Sequence, residues 1–281
     1  FRPLKRVLER FALYYNRTRG RAGHVFKDRF HSACIRSETS FLCVVAYTDH
    51  NPIRAGLAEI STDYEFGSAS SYVLDRAPAW LDRQRIARCV PDANTATGQI
   101  PEESYLRTFG KVDFDFVREL IRRRRHPEKH QDDPLDWFLS PDRARRIGWL
   151  VEQARLADGS KGARLLAKAT TLREVLETHT DRRDWRRCDR TGDGIDWRSM
   201  LIGLLRLGCA RSCRQISAML QISESAVVRG TRRHVERLTT DPVYLAIAEE
   251  ILVQAVRRTF AFLPPFPAVG PDGELRRPGD E

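Results

Sequence analysis

The chain reads as mainly α, with at most a small β remnant near its start. Three observations carry this. Apolar residues recur at helical spacing in residues 2–18, in the stretch ending at Asn51 and between Trp197 and Ala255. Gly20, Gly23, Pro52, Gly56 and the segment from Pro78 to Pro101 punctuate those stretches. The one modest strand signal in the first half is residues 29–36.

Taken in order, residues 2–18 place Leu4, Val7, Leu8, Phe11, Leu13 and Tyr14 at mostly helical spacing, with Arg and Lys on the other face. Residues 29–36 (RFHSACIR) read as one strand or an extended linker. Ser37-Glu38-Thr39-Ser40 offers N-cap candidates for a helix that Pro52 is expected to stop near Asn51. A loop at 63–68 and a short helix around Ser70-Ser71-Tyr72 follow. Residues 76–110, with Pro78, Pro91, Gly98 and Pro101, read as a boundary. Several helices are expected from Val112 to Arg187, one of them running through Phe116–Ile121 into the Arg122–Arg125 run. That run points all round a helix, which suits a solvated helix end before a phosphate clamp. Residues 188–196 form a Gly/Asp loop, Trp197 to Ala255 a compact set of helices, and Leu263 onward a Pro/Gly tail expected to be disordered. The expected division is 1–75, 76–196, 197–258 and a tail at 259–281.

Charge narrows the partners. The 281 residues carry 48 Lys and Arg against 38 Asp and Glu, a net +10, with a pI near 9.6. Residues 1–36 hold ten basic residues against Glu9 and Asp28, and residues 202–240 hold seven Arg against Glu224 and Glu236. Two separated basic regions fit a polyanion, and nucleic acid in particular; an Arg-rich composition without a function is the plainer alternative. The six cysteines include no C-x-x-C pair, which argues against a disulfide framework and a zinc ribbon. Cys209 and Cys213 are four apart but lack a second ligand pair, so a helix flank explains them better than a metal does. The apolar run from Phe260 to Val269 is broken by three prolines and too short for a bilayer. The expectation is a reduced, soluble, cytoplasmic protein.

Tyr47 and Asn51 stand four apart on the expected helix 37–51. On a helical wheel Phe41, Val44, Val45 and Thr48 cluster on one side, and Tyr47 and Asn51 lie within about 40° of each other at its edge. A phenol there can attack a phosphate once its proton leaves, and Asn51 offers an oxygen suited to a hard cation. A half-buried Tyr beside an Asn serving the helix end explains the same spacing.

The residues Tyr15-Asn16-Arg17, Arg21-x-Gly23-His24-x-Phe26-Lys27-x-Arg29-Phe30 and Tyr47-x-Asp49-x-Asn51-Pro52-x-Arg54-Ala55-Gly56-Leu57, then Asp63-Tyr64, add a further reading. Over about residues 1–75 this order resembles the second half of the single-tyrosine HUH-type transposases, above all the REP-associated tyrosine transposases. The resemblance implies the C-terminal half of a ferredoxin-like transposase domain. It implies a nucleophile at Tyr47 that keeps a 5′ phosphate, an amide ligand at Asn51, and Mg²⁺ or Mn²⁺ as cofactor. The family's strand with two histidines alternating with apolar residues has no counterpart among the seven histidines here, of which His24, His31 and His50 lie nearest. The chain opens on Phe1, and the expectation is an N-terminally truncated enzyme, inactive as it stands. Arg17, Arg19, Arg21, Lys27 and Arg29 suit phosphate contacts on hairpin or single-stranded DNA, and Tyr15, Phe26 and Phe30 suit base stacking or core anchoring.

Residues 211–238 read as helix, turn, helix. Cys213, Ile216, Met219 and Leu220 pattern the first helix, and Ser223 is a candidate N-cap for the second. Val227, Val228, Thr231, Val235 and Leu238 form its apolar stripe, while Ser225, Arg229, Arg232 and Arg233 face outward with His234 near the edge. The stretch from Arg214 to Leu238, then Asp241-Pro242, resembles the C-terminal DNA-binding domain of the bacterial replication initiator; a plain helical packing module is the alternative. Asp189-x-Thr191-x-Asp193-Gly194 begins like a calcium loop, but Asp196 and Met200 stand where that loop needs an apolar residue and Glu. Asp196 suits a helix cap instead. The leading expectation is a DNA transposase acting on single-stranded DNA through Tyr47, with duplex DNA at the second module and a homodimer as an option. The rivals are a non-catalytic, sequence-specific DNA-binding relic and a helical interaction scaffold.

Overall fold

Two helices organise the protein, one buried on nearly every side and one buried along its inner side. In α10 (Trp197–Leu207), nine of eleven residues are buried, because Met200, Leu201, Ile202, Leu204 and Leu205 leave it no polar face. In α13 (Pro242–Thr259), Tyr244, Ala248, Ile251, Leu252, Ala255 and Val256 are buried in the same core. The computed structural model describes residues 2–27, 35, 37–74, 77–123, 134–139, 141–155, 164–180, 195–261, 263, 268–269 and 275–276.

Upstream of this pair lie α1 (Arg2–Arg19), α2 (Glu38–Arg54), a 3₁₀ turn at Ser61–Asp63, α3 (Ser68–Val73), α4 (Arg83–Ala87), α5 (Glu102–Phe109) and α6 (Phe114–Arg123). Then come α7 (Pro134–Leu139), α8 (Arg143–Arg155) and α9 (Ala169–Thr180). Between α10 and α13 stand α11 (Cys213–Leu220) and α12 (Glu224–Thr240). Strands β1 (Ala268–Val269) and β2 (Leu275–Arg276) form a two-stranded antiparallel pair. The protein is mainly helical. No described helix is long and apolar enough to cross a membrane.

Helix α13 packs on α9, α12, α7 and α8, and α10 packs on α12 and α9. The α10–α12 crossing is close because two glycines face it. A Cβ on Gly203 would fall 1.9 Å from the His234 ring, and one on Gly230 would fall 2.7 Å from Ile202. Helix α8 is tied to α13 by a buried ion pair, Arg146 Nε to Glu249 Oε1 at 2.6 Å, with Arg143 adding a second contact at 3.3 Å. Backbone amides of Arg164, Leu166 and Ala167 donate to the carbonyls of Leu207 and Gly208, lacing an extended segment onto the end of α10. Helix α1 differs from all of these: none of its residues is buried, and Val7, Leu13 and Tyr14 are exposed.

Several local expectations match the described chain. Asp196 caps α10 by accepting from the Ser199 amide at 2.9 Å, and Ser37 caps α2 by accepting from the Ser40 amide at 3.0 Å. The end of α2 differs from expectation. Pro52 lies inside the helix, which continues to Arg54. A proline in the last turn loses one hydrogen bond, and the Ala55 amide still donates to the Asn51 carbonyl at 3.0 Å. The expected strand or linker at 29–36 lies outside the described residues except for Ile35, as do residues 189–194 of the calcium-like loop.

Candidate nucleic-acid interface

Helix α2 buries Leu42, Cys43, Val45, Ala46, Asp49 and His50. The core side is therefore turned from the Phe41–Thr48 side that the apolar pattern indicates; Thr48 is exposed. A buried polar contact lies on that core side, beside Leu42, Cys43 and Ala46. The Asp49 carboxylate accepts from Ser68 Oγ at 2.5 Å and from the Tyr105 hydroxyl, so α2, α3 and α5 meet at one acid. Burial raises the Asp49 pKa above the ordinary carboxylate value, with the two hydroxyls and His50 pulling the other way. A wheel drawn on apolar residues alone cannot see an acid that points inward.

That rotation leaves Tyr47 half-buried and Asn51 exposed, one turn apart. The Tyr47 ring packs on Phe114 at 5.5 Å between centroids. His50 meets the same ring at 6.0 Å, and the Arg54 guanidinium lies 5.6 Å from its centroid. Phe114 thus gathers Tyr47, His50 and Arg54 along one side of α2, and nothing in the local sequence pattern announces it. Among the described residues the Tyr47 hydroxyl has no hydrogen-bond partner. His50 is buried and directs Nδ1 to the Ala46 carbonyl at 3.0 Å. With His50 and Asp49 engaged inside the fold, Asn51 is the remaining donor beside Tyr47, and one amide does not make a divalent-metal site. No cluster of three or more His, Cys, Asp or Glu able to hold a metal occurs among the described residues.

Asn51 and Thr48 line a cleft of about 770 Å³ together with Tyr64, Phe66, Tyr72 and Trp80. Sequence reasoning missed this cleft, because Trp80 sits in a proline-bounded loop that carries no motif.

At the end of α1, Arg17, Arg19 and Arg21 are exposed, as is Lys27. The Arg19 and Arg21 guanidinium groups lie 6.0 and 5.9 Å from the Tyr15 ring centre. Asn16 Nδ2 donates to the Gly23 carbonyl at 2.8 Å, and the Arg21 amide to the Asn16 carbonyl at 2.9 Å, so the glycine turn folds back on the helix. Phe26 packs on Phe11 at 6.0 Å. Arg29 lies outside the described residues.

Helix α11 opens with a capping box between Ser212 and Gln215, and ends at Gln221 in the left-handed conformation (φ 55). Ser223 then caps α12 through the Ala226 amide at 3.2 Å. Ile216, Val227, Gly230, His234 and Leu238 are buried between the helices and α10. Two expectations change here. Val228 is 48 % exposed, and His234 is fully buried rather than at the edge. Glycine at 230 hides the buried face from an apolar count, because it places His234 four residues later over Gly203 of α10. His234 Nδ1 lies 2.8 Å from the Tyr244 hydroxyl, and burial lowers its pKa to about 3.

Ser225, Arg229 and Arg232 stand exposed on one stripe of α12 at i, i+4 and i+7. Arg229 and Arg232 have no acidic partner among the described residues, and Arg233 lies at the 4.0 Å limit from Asp196. In the Arg122–Arg125 run, Arg122 and Arg123 are spent on Glu119 of their own helix at 2.7 and 2.6 Å, and hold its carboxyl down at about 2. Arg124 and Arg125 lie outside the described residues. Neither a scan of protein-family models nor searches of curated proteins and of solved structures found a match to this chain.

Proposed function

We propose that this chain belongs to a DNA-processing protein of the single-tyrosine transposase type, with Tyr47 as nucleophile toward single-stranded DNA and α12 as a duplex-reading helix. The observation that carries the reading is the pairing of Tyr47 and Asn51 one turn apart at the surface of α2, with the Tyr47 hydroxyl unengaged and Arg54 sharing its Phe114 platform. In the proposed step the Tyr47 oxygen forms a bond to a backbone phosphorus and the bond to the 3′ oxygen breaks. The phenolic proton goes to the departing 3′ hydroxyl, and the 5′ phosphate stays on the tyrosine. Arg54, on the same Phe114 ring as Tyr47, supplies a cation for the phosphate charge. In this reading the metal is held by Asn51 together with the histidine pair that the family resemblance implies, a pair with no counterpart among the seven histidines of this sequence.

The test is cleavage of a labelled hairpin carrying a single-stranded flank by the full-length gene product. Cleavage by the wild type that is lost in Tyr47→Phe supports the reading; cleavage that persists in Tyr47→Phe overturns it. A non-catalytic DNA-binding protein is the second reading, favoured by the exposed Ser225–Arg229–Arg232 stripe of α12, whose two arginines have no acidic partner among the described residues. It predicts duplex binding that is indifferent to Tyr47→Phe.

A further inference from the structure

Phe66 and Trp80 are 82 % and 81 % exposed, and both line the cleft beside Asn51. Large rings held in solvent at that level bury little for the fold, and two of them lining one cleft offer stacking surfaces. Tyr64 braces Phe66 edge-on, with centroids 5.8 Å apart. Among the described residues the lining contains no Lys or Arg, while Glu65, Asn51, Thr48 and Ser71 supply polar edges. A phosphate would find no cation there and one carboxylate against it. A neutral planar ring with hydrogen-bond donors on its edge fits both the aromatic walls and Glu65.

We propose that this cleft is a subsite for one unpaired nucleobase of the strand that Tyr47 attacks, an inference that rests on the reading of Tyr47 given above. Asn51 lines the cleft and Tyr47 lies four residues earlier, about 6 Å along the helix axis. A base stacked on Phe66 or Trp80 there lies beside the helix that carries Tyr47. The carboxylate of Glu65 accepts from the exocyclic amino group of cytosine, adenine or guanine, whereas thymine offers it only the ring N3–H, so amino-bearing bases are favoured.

The probe is a short, fluorescently labelled single-stranded oligonucleotide, its affinity read by anisotropy beside that of a labelled duplex. Trp80→Ala and Phe66→Ala, both at exposed positions, are expected to weaken single-strand binding by about tenfold or more. Duplex binding, carried by α12, should stay unchanged. Glu65→Gln is expected to narrow the difference between cytosine and thymine homopolymers. Single-strand affinity unchanged in both aromatic variants overturns the base subsite while leaving the Tyr47 reading intact. Self-association of the wild type that Trp80→Ala abolishes, with DNA affinity unaltered, assigns the cleft to a second copy and also overturns it. A wild-type protein that binds neither DNA overturns both proposals together.

Discussion

Two hydroxyls, from Ser68 and Tyr105, hold the buried Asp49 carboxylate of α2. Tyr105 is fully buried and donates to Asp49. Tyr105→Phe removes one oxygen and leaves a buried acceptor short of a donor, so the expected loss is about 1–3 kcal/mol in urea unfolding. An unchanged midpoint would show that Ser68 alone satisfies the acid. His234 gives a second residue-scale prediction. Its folded pKa, about 3, lies below the ordinary histidine value, so the unfolded chain takes up the proton first. Its contribution to stability is full above the ordinary value near 6.5 and falls as the pH drops toward 3. Between pH 6.5 and 5 the wild type should lose up to about 1.4 kcal/mol per pH unit from this group, and His234→Gln should flatten that slope. Both residues explain what was illegible in the sequence. Tyr47 and Asn51 sit at the expected spacing, but Asp49 lies on the core side of α2, and His234 on the buried face of α12. Polar residues that fold inward defeat a reading based on apolar periodicity.

At the scale of elements, α10 and α12 meet through glycine. Gly203→Ala would drive a methyl into the His234 ring, and overpacking of this kind costs about 1–3 kcal/mol. The loss should be visible as an earlier thermal transition; a variant as stable as the wild type would mean that the helices separate freely. The α8–α13 tie behaves differently. Arg146→Ala leaves Glu249 buried with only the more exposed Arg143 beside it, so about 3 kcal/mol or more should be lost. The ends of these helices were legible: Ser37, Asp196 and Ser223 cap α2, α10 and α12 where a side-chain acceptor precedes a helical pattern. Pro52 was the exception, since a proline in the last turn costs little and the helix carries it.

For the whole molecule, the mainly helical class and the run of helices from Trp197 to Ala255 follow from periodicity and punctuation alone. The cleft beside Asn51 does not, because its walls come from segments about thirty residues apart that only packing brings together. The charge distribution makes a further prediction. With a net +10 and an exposed Arg stripe on α12, duplex affinity should fall steeply with salt, and Arg229→Ala and Arg232→Ala should each lower the slope of log affinity against log salt by about one. Unaltered slopes would move the duplex contact to another surface. The most direct test of the central claim is to trap the full-length protein on single-stranded DNA, digest it and sequence the peptide that retains a nucleotide. A 5′-phosphonucleotide on Tyr47, absent in Tyr47→Phe, is the expected result. A nucleotide on any other residue, or bound DNA with no covalent product, would contradict the assignment of Tyr47 as nucleophile.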